Sequence, residues 1–359
     1  MAKKIKILLA SRALESPPRE GGFVILKDIA NTLDSARFIP YMLSMKNKTI
    51  GQIRPDRVFS AVGWDKIVKI QYLIAIMIRS SRYDVVHTAH IPTLFNSRIM
   101  RRITAYSHVR GTRFVQTVTG IPKVDEKQLS KLLWGDYLVF QSPSAMARAK
   151  QVTSKPMELI VPWPSDNRVR YDPKRRTRTR KSLGISVDTN LVVFPGEFKR
   201  MGIDISFTDC INSFLEKCPN SKIIIACRFD FQNIGGEIAS KFPDKVVSIG
   251  SASNIIELME AADLVIFPAK KMHSKFHPPL IITEALTLGA SVIVSDVVDI
   301  DIGISSRLTR LNKPVSWTEF GVEMYDALQK KSYKSKFNNP FQDMVKSYET
   351  IYLGVQKSR

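Results

Sequence analysis

The feature that most constrains this chain is an alternation of short apolar runs with longer amphipathic ones, which fills the first half of the sequence. The apolar runs are bounded by turn-forming or charged residues and contain few polar positions. Near-continuous apolarity predicts burial on both faces of a strand, and hence a parallel sheet between two layers of helices. The predicted strands of this half are Ile5–Ala10, Arg37–Leu43, Asp84–Thr88, Arg113–Val118, Tyr137–Gln141 and Glu158–Val161.

The second half repeats the same alternation, with helical segments at Ile203–Leu215 and Asn254–Ala262. Two successive β-α-β series of similar length predict an α/β protein made of two Rossmann-like domains, each a doubly wound parallel sheet. The predicted strands of this half are Leu191–Phe194, Lys222–Ala226, Lys245–Ile249, Leu264–Phe267 and Ser291–Ser295.

The break between the domains is expected at the proline-rich, polar segment Pro162–Asn167. The first domain then spans residues 1–165 and the second spans residues 170–339. Apolar and aromatic residues recur near helical spacing in the tail, which predicts one more helix. We expect this helix, at about residues 340–359, to pack back onto the first domain.

Composition excludes several classes of protein. Hydrophobic residues make up 44% of the chain, as in a globular protein, and no apolar run approaches the ~20 residues of a membrane-spanning helix. The N-terminal apolar run is too short for a secretory signal peptide. The three cysteines, Cys210, Cys218 and Cys227, are odd in number and lack metal-binding spacing, which fits a reducing compartment. We therefore expect a cytoplasmic protein that is able to bind peripherally to the inner face of a membrane.

Positive charge is concentrated in the first half of the chain. The net charge is +21, and residues 1–180 hold 33 Lys and Arg against 13 Asp and Glu, a net +20. The remainder holds 21 against 20, a net +1. Such asymmetry predicts a polyanionic partner, such as a membrane surface, a phosphorylated acceptor or nucleic acid. The alternative is that the charge serves only solubility, although that role would spread it over both halves.

A glycine pair, Gly21-Gly22, follows the first predicted strand and precedes an amphipathic helix. Glycines at such a junction allow a phosphate to approach the backbone N–H groups at the positive end of the helix. A glycine pair is also common in simple turns. Both interpretations stay open on this pair alone.

One carboxylate, Glu284, lies inside an otherwise apolar helical segment that follows two prolines and ends at Gly289. An unpaired buried charge is costly, so this carboxylate requires a partner. A pair of sugar hydroxyls is one such partner. An ion pair with a lysine or arginine is the other, and the segment alone does not separate them.

Three segments combine basic residues with helical periodicity. The run Lys174–Lys181 either contacts phosphates or forms a solvated helix face, and we favour the second. The segment Trp64–Arg79 is apolar on nearly all sides after Lys69, which predicts a packed core helix. In Leu94–Ile103, three arginines share one face. That pattern fits both a core-packed helix with solvated arginines and a helix that lies on an anionic membrane.

Seven segments occur in an order and spacing that are specific in combination. They are Ile5–Ala10 leading to Gly21-Gly22, Asp84–His90, Val115–Gly120, Gly135–Ser142, Pro195–Asp204, Ala261–Pro268 and Phe276–Asp296. With these segments the chain resembles, over nearly its whole length, a nucleotide-sugar-dependent glycosyltransferase of the two-Rossmann (GT-B) fold, in the retaining group 1, or family 4, class.

The resemblance implies that a nucleotide-diphosphate sugar lies in a cleft between the domains, mostly on the second. It implies that Glu284 holds the ribose hydroxyls and that Lys199 and Arg200 neutralise the diphosphate. Fixed cations stabilise the charge that develops on the leaving nucleoside diphosphate, so no metal or other cofactor is then required. The other implied donor contacts are Gly21, Gly22, Gly196, Leu280 and Ile281.

On the acceptor side, the resemblance points to Thr119 and Gly120. His90 is the candidate catalytic residue, since it can orient a sugar or accept the proton of the acceptor hydroxyl. A histidine at a strand end is nonetheless more often structural, and we expect His87 to be buried. In this family the donor phosphate can itself take the acceptor proton, so retaining transfer does not depend on a protein nucleophile.

Three positions depart from the family pattern. The family has a second glutamate eight residues before Glu284, where this chain has Phe276 with basic neighbours. It has an arginine directly after the loop glycine, where this chain has Glu197, and a histidine where this chain has Thr119. Because the two prolines before the helix carry no N–H, Leu280 is its first backbone donor. The identity of the sugar depends on these departures.

The sequence therefore predicts retaining transfer of a sugar to an acceptor hydroxyl on a membrane-associated glycan or lipid-linked species. Two alternatives remain. One is the same chemistry on nucleic acid, with the basic half as a duplex-binding face; the lack of aromatic residues among the basic ones disfavours single strands. The other is a GT-B-shaped binding or scaffold protein without turnover, which the three departures favour.

Overall fold

The computed structural model describes residues 3–10, 21–44, 52–57, 73–90, 92–227, 230, 232–250, 254–271, 278–302, 306–330 and 338–357. The chain forms two compact units. The first combines Met1–Ser165 with Lys275–Pro278 and Pro340–Arg359, and the second combines Asp166–Ser274 with Pro279–Asn339. The junction at Ser165 falls inside the segment Pro162–Asn167.

The first unit contains a parallel sheet of seven described strands in the order β3-β2-β1-β4-β5-β6-β7. These strands are β1 Ile5–Leu9, β2 Phe38–Ser44, β3 Arg54–Arg57, β4 Val85–His90, β5 Arg113–Val118, β6 Tyr137–Phe140 and β7 Met157–Leu159. The described helices are α1 Gly21–Thr32, α2 at residues 73–79, α3 Leu94–His108, α4 Glu126–Leu132, α5 Pro143–Lys150 and the last helix, α13 Phe341–Lys357.

The second unit repeats this design with six described strands in the order β10-β9-β8-β11-β12-β13, again all parallel. Its strands are β8 Asn190–Phe194, β9 Ser221–Ala226, β10 Val246–Ile249, β11 Leu264–Phe267, β12 Ser291–Val294 and β13 Leu308–Arg310. Its described helices are α6 Pro173–Ser182, α7 Phe198–Met201, α8 Phe207–Lys217, α9 Ile234–Lys241, α10 Ile255–Ala261, α11 Leu280–Thr287 and α12 Trp317–Gln329.

The predicted fold class is confirmed, and the differences from prediction lie at the edges of elements. The strands β3 and β13 were not predicted, because their sequences, RPDR and LTR, are short and mostly polar. Both are edge strands, which need no apolar run for burial on two faces. The predicted helix Ile203–Leu215 begins only at Phe207, after a turn in which Asp204 accepts a hydrogen bond from the Ser206 backbone N–H (3.0 Å).

The last helix packs on the first sheet through a buried polar cluster. The Tyr352 hydroxyl lies 2.7 Å from Nδ1 of His87, and Nε2 of His87 lies 2.8 Å from Oγ1 of Thr117. That same Oγ1 lies 3.2 Å from the Tyr348 hydroxyl. All four side chains are buried, as expected for His87. Burial lowers the pKa of His87 to about 3, so this imidazole is neutral at physiological pH.

The arginines of the basic helix α6 form ion pairs and hydrogen bonds with groups inside the second unit. Arg175 of α6 pairs with Glu260, which is fully buried, and Arg176 donates to the carbonyl oxygens of residues 260, 261 and 262 at 2.8, 2.6 and 3.0 Å. Arg180 bonds the Ala261 carbonyl at 3.0 Å. Cations at a helix C-terminus satisfy its unpaired carbonyls and complement its dipole. The favoured expectation of a solvated face is therefore wrong for these three arginines, while Lys174, Arg178 and Lys181 are exposed.

This assignment also corrects the charge count. Seven of the 33 basic residues counted up to residue 180 lie at 166–180, in the second unit. Residues 1–165 retain 26 basic against 11 acidic residues, a net +15.

Two amphipathic helices of the first unit cover one face of its sheet. In α2, Leu73, Ala75 and Ile76 are buried whereas residues 74, 77 and 78 are exposed, so the expectation of an all-round core helix fails for the part that is described. Residues 64–72 of that predicted segment lie outside the described residues. In α3, Met100 and Ile103 are buried and the arginines face solvent. None of the described helices has the length and hydropathy of a bilayer span.

The buried imidazole generates a prediction about pH. His87 binds no proton in the folded state above about pH 3, whereas the unfolded chain protonates it below about pH 6.5. The free energy of unfolding is therefore expected to decrease as the pH is lowered below 6.5, by at most about 1.4 kcal/mol per pH unit. The His87→Gln variant removes this share of the slope in urea titrations between pH 5 and 7. The half-exposed His108, paired with Asp136 at 2.9 Å, supplies the control: His108→Gln retains it. Equal slopes for wild type and His87→Gln would contradict the assignment.

The buried carboxylate of α10 generates a second prediction. Glu260→Ala leaves Arg175 and the Asp172 N–H without their acceptor. We expect a loss of about 3 kcal/mol, the lower end of the cost of breaking a buried ion pair, because the Arg175 side chain is 30% exposed. Glu257→Ala, an exposed carboxylate on the same helix, is expected to cost less than about 1 kcal/mol. Urea denaturation measures both, and equal losses would show that the Glu260 pair is not structural.

Candidate functional site

The second sheet reverses its strand order between β8 and β11, which are hydrogen-bonded neighbours. In doubly wound sheets, ligands bind outside the carboxyl ends of the strands at such a reversal. The segment that follows β8 begins with Pro195, and the segment that follows β11 begins with Pro268. The candidate site of this unit is therefore built from the described residues of these two segments and from the helices α7 and α11.

The loop between β8 and α7 leaves room for glycine alone at residue 196. A Cβ atom at Gly196 would lie 2.3 Å from Cε2 of Phe194 and 2.6 Å from Sδ of Met201. Real Cβ atoms do not approach so closely, and both neighbours are buried. The glycine therefore holds the loop tightly over the end of β8, which fixes where α7 begins.

Helix α7 presents the two cations that the sequence singled out. Lys199 and Arg200 are both exposed, and the helix ends at Gly202 in the left-handed conformation (φ 69°). Arg200 forms an ion pair with Glu197, with Nε 3.0 Å from Oε2. Lys199 has no ion-pair partner among the described residues. The glutamate that replaces the expected arginine thus occupies one of the two cations.

The segment after β11 carries two further lysines that the sequence analysis did not single out. The backbone N–H groups of Lys270 and Lys271 donate to the Met201 carbonyl at 2.9 and 3.2 Å, which ties this segment to the end of α7. Nζ of Lys270 lies 4.3 Å from the centroid of the Trp317 ring. Their position directly beyond a strand end, like that of Lys199, was the signal that could have identified them.

Helix α11 offers backbone donors at its first turn. Pro279 is the N-cap, and the Ile282 N–H already donates to its carbonyl at 3.1 Å. The first N–H groups of a helix have no intrahelical acceptor and carry its positive partial charge. Leu280 and Ile281 hold these donors, since no described residue accepts from either N–H.

Glu284 lies two-thirds of the way along the same helix and is 7% exposed. Its Oε1 accepts a hydrogen bond from Nη1 of Arg168, so the ion pair left open by the sequence is present. A carboxylate has about four acceptor positions on its two oxygens. The pair therefore leaves acceptor capacity on Glu284 for hydroxyl groups. Arg168 lies 116 residues away in sequence, and no local pattern identified it.

The remaining predicted residues belong to the first unit. Gly21 and Gly22 form the start of α1, and His90 ends β4, where its Cα pairs in register with Val118 of β5. Thr119 follows directly and is buried. His90 and Thr119 thus lie at the carboxyl ends of β4 and β5, which are adjacent in the sheet.

Three predicted positions lie wholly or partly outside the described residues. The side chain of His90 lies outside the described part of the chain, as do Phe276 and His277. Gly120 is half-buried. The roles of His90, Thr119 and Gly120 therefore stay predictions.

Metal-binding geometry is absent from the described part of the chain, in which no three His, Cys, Asp or Glu side chains cluster suitably. The three cysteines are free and buried. Burial raises the pKa of the Cys210 thiol, which disfavours the reactive thiolate. Independence from a metal stays a prediction.

The known proteins that match this chain were found by comparison of structures. No family model matches the sequence, and no curated protein matches it. Among solved structures, HepE of Anabaena in complex with UDP and glucose has a TM-score of 0.65 at 14% identity, over 99% of this chain and 98% of that one. WaaG, a glycosyltransferase involved in lipopolysaccharide biosynthesis, has a TM-score of 0.63 at 16% identity over 99% and 98%. A glycosyltransferase from Rickettsia africae ESF-5 has 0.65 at 14% over the full length of both.

These similarities show that the chain has the GT-B fold of glycosyltransferases, as the sequence predicted. They cover nearly the whole of each chain, so both units are included.

The tight loop at β8 generates a prediction. Gly196→Ala forces a Cβ into the buried Phe194 ring, and the loop must shift. We expect a loss of about 1–3 kcal/mol, the usual cost of overpacking. Gly354→Ala is the matched control, because a Cβ there has open space within α13, and alanine in a helix interior is expected to be neutral or to stabilise by up to about 1 kcal/mol. Urea denaturation compares the two, and a stable Gly196→Ala variant would refute the constraint.

Proposed function

We propose that the chain is a glycosyltransferase that moves a sugar from a nucleotide-diphosphate sugar to an acceptor hydroxyl. The observation that carries this proposal is the match to HepE across 98–99% of both chains, because that protein is solved with UDP, glucose and UDP-glucose. The second unit supplies, on its own, the chemistry that such a donor requires. Cations, helix N–H groups and a buried carboxylate follow the strands at the reversal of its sheet.

Stabilisation of the leaving group is the central chemical task. Negative charge accumulates on the nucleoside diphosphate as the glycosidic bond breaks. Lys199 and the first-turn N–H groups of Leu280 and Ile281 are the groups we assign to it, since fixed positive charge lowers the energy of the transition state more than that of the bound donor. Gly196 lets the backbone of its loop approach the phosphates.

Arg200 has a second state in this proposal. In the structure its guanidinium is held by Glu197, which is only partly exposed. A diphosphate carries more charge than one carboxylate and accepts bidentate hydrogen bonds from arginine. We propose that Arg200 leaves Glu197 and binds the diphosphate. Because the ion pair with Glu197 is lost, Arg200 adds less to the free energy of diphosphate binding than Lys199 does.

Recognition of the ribose falls to Glu284. Two vicinal hydroxyls donate well to one carboxylate, and the oxygen not bonded by Arg168 has room in its acceptor shell. Arg168 holds this nearly buried carboxylate in one orientation through their ion pair. This pair makes the ribose contact rigid before the donor arrives.

Retention, the acceptor and the site of action are the finer parts of the proposal. The donor phosphate takes the acceptor proton, with His90 as the residue that orients the acceptor, beside Thr119 and Gly120. The net charge of +15 on residues 1–165 supports an acceptor that is a membrane-associated glycan or a lipid-linked species. The chemistry uses no metal, and the protein acts in the cytoplasm at the membrane surface.

One observation favours a second candidate, a nucleotide-sugar-binding protein without turnover. Glu197 places a carboxylate, and with it an ion pair, in the loop assigned to the diphosphate. This arrangement weakens stabilisation of a leaving group while it leaves ground-state binding feasible.

Binding of the donor tests the site. Free UDP is titrated into the full chain by calorimetry and by thermal shift. GDP and ADP, which differ from UDP in the base, serve as competitors. Lys199→Gln is expected to weaken binding about 10- to 100-fold, because it removes a hydrogen bond from a charged donor to the diphosphate. Lys174→Gln changes an exposed lysine of α6 in the same unit and is expected to leave the Kd unchanged. Equal effects of the two substitutions would remove α7 from the site.

Turnover separates the two candidates. The same preparation is incubated with a panel of nucleotide sugars, and release of the nucleoside diphosphate is followed. Release with one donor supports the transferase. Tight binding of a nucleotide without release from any donor supports the binding protein, and absence of binding overturns both.

A further inference from the structure

We propose that one face of the first unit binds the surface of an anionic lipid bilayer. This face, the α2–α3 face, consists of the outward side chains of α2 and α3, among them Ile74, Met77, Ile78, Phe95, Arg98 and Arg102. The inference rests on the membrane location given under the proposed function and adds the surface that binds, which belongs to the first unit alone. Its success or failure is therefore independent of the donor site.

Exposed apolar side chains are concentrated on this face. Ten large hydrophobic or aromatic residues are exposed in the described chain, and seven of them lie between residues 74 and 109. Phe95 is 61% exposed, Ile78 is 57% and Val109 is 88%. Single exposed apolar residues are ordinary, but contiguous ones mark a surface that meets another apolar medium.

The two helices form one continuous surface. Leu73 and Ile76 of α2 belong to the same buried cluster as Met100 and Ile103 of α3. Directly after α2, the Ser80 hydroxyl lies 2.6 Å from the hydroxyl of Ser107 in α3. Since both helices bury their inner sides against the same strands, their outer sides face solvent together.

The outward positions follow helical geometry. In α2 the exposed residues 74, 77 and 78 recur at the spacing of one helix face. In α3 the outward face interleaves Phe95, Arg98, Arg102, Tyr106 and Val109 at intervals of three and four. Apolar and cationic groups therefore share a single stripe.

The charge of the face is positive without compensation. From residue 85 to residue 124 the sequence holds six Lys and Arg and no Asp or Glu. Arg98, Arg101 and Arg102 are exposed and form no ion pair with any described residue. The neighbouring Asp84 is buried beneath the surface and accepts from the Lys6 N–H at 2.9 Å.

A bilayer interface accommodates both kinds of side chain at once. Apolar side chains enter the boundary between headgroups and acyl chains, and arginine stems lie along it while the guanidinium groups reach lipid phosphates. A nucleic-acid duplex would pair the arginines but leave the isoleucines and Phe95 in water or against phosphate. The combination therefore favours a membrane surface over nucleic acid.

Co-sedimentation with lipid vesicles tests the proposal on the full chain. Vesicles of phosphatidylcholine alone are compared with vesicles that contain about one-third phosphatidylglycerol, at low and high salt. Binding is expected only with the anionic lipid and is expected to weaken with salt. The double variant Arg98→Gln/Arg102→Gln is expected to weaken binding about five-fold for each arginine. The double variant Phe95→Ser/Ile78→Ser is expected to abolish the vesicle binding that remains at high salt.

Matched substitutions in the second unit provide the controls. Lys174→Gln/Arg178→Gln removes two exposed cations from α6, and Val187→Ser removes an apolar side chain that is 89% exposed. Both are expected to bind vesicles as the wild type does. Circular dichroism and UDP titration of every variant verify that the fold and the second unit are intact.

Three results would overturn the proposal. One is equal binding to neutral and anionic vesicles. Another is that Arg98→Gln/Arg102→Gln and Phe95→Ser/Ile78→Ser both bind anionic vesicles as tightly as the wild type. The third is displacement from vesicles by a short DNA duplex whose own binding depends on Arg98 and Arg102, which would identify the face as a nucleic-acid surface.

Discussion

Parallel strand pairing is the constraint on which the rest of this protein depends. When all neighbouring strands run in one direction, their carboxyl ends meet at one edge of the sheet, and every segment that follows a strand begins there. The pairing of β8 with β11 thereby places the loop at Gly196 and the segment at Lys270 side by side, and the Met201 carbonyl joins them. Helix propensity contributes little at α7, which is four residues long. Its position comes from the buried strands and from the glycine that precedes it.

The many arginines of this chain perform two different tasks that composition cannot separate. Those of α6 lie inside the second unit, where they neutralise Glu260 and satisfy the carbonyls at the end of α10. Those of α3 face solvent beside apolar side chains and have no ion-pair partner among the described residues. The first kind stabilises a fold because both charges are compensated. The second kind leaves positive charge exposed to a partner. The net charge counted from the sequence adds both kinds together.

Fold class and strand positions followed from the sequence because buried parallel strands leave an unambiguous record, a short apolar run between turns. The strands β3 and β13 left no such record, because their sequences, RPDR and LTR, are short and mostly polar. For the candidate site, the resemblance to the family pointed to Gly196, Lys199 and the first turn of α11, whose roles stay predictions. The resemblance did not identify Arg168, because the partner of a buried carboxylate is chosen in space rather than along the chain. The burial of α2 was also misjudged, because the composition of an apolar helix does not show which of its sides is exposed.

The closing helix has a consequence for how the molecule is made. Tyr348 and Tyr352 of α13 complete the polar cluster around His87, so the first sheet lacks one of its covering helices until nearly 350 residues have been synthesised. The second unit occupies an almost uninterrupted stretch, Asp166–Ser274 and Pro279–Asn339, and has no such dependence. A nascent chain on the ribosome therefore holds a complete second unit before the first can finish. The cluster around His87 therefore stays incomplete until α13 has been synthesised.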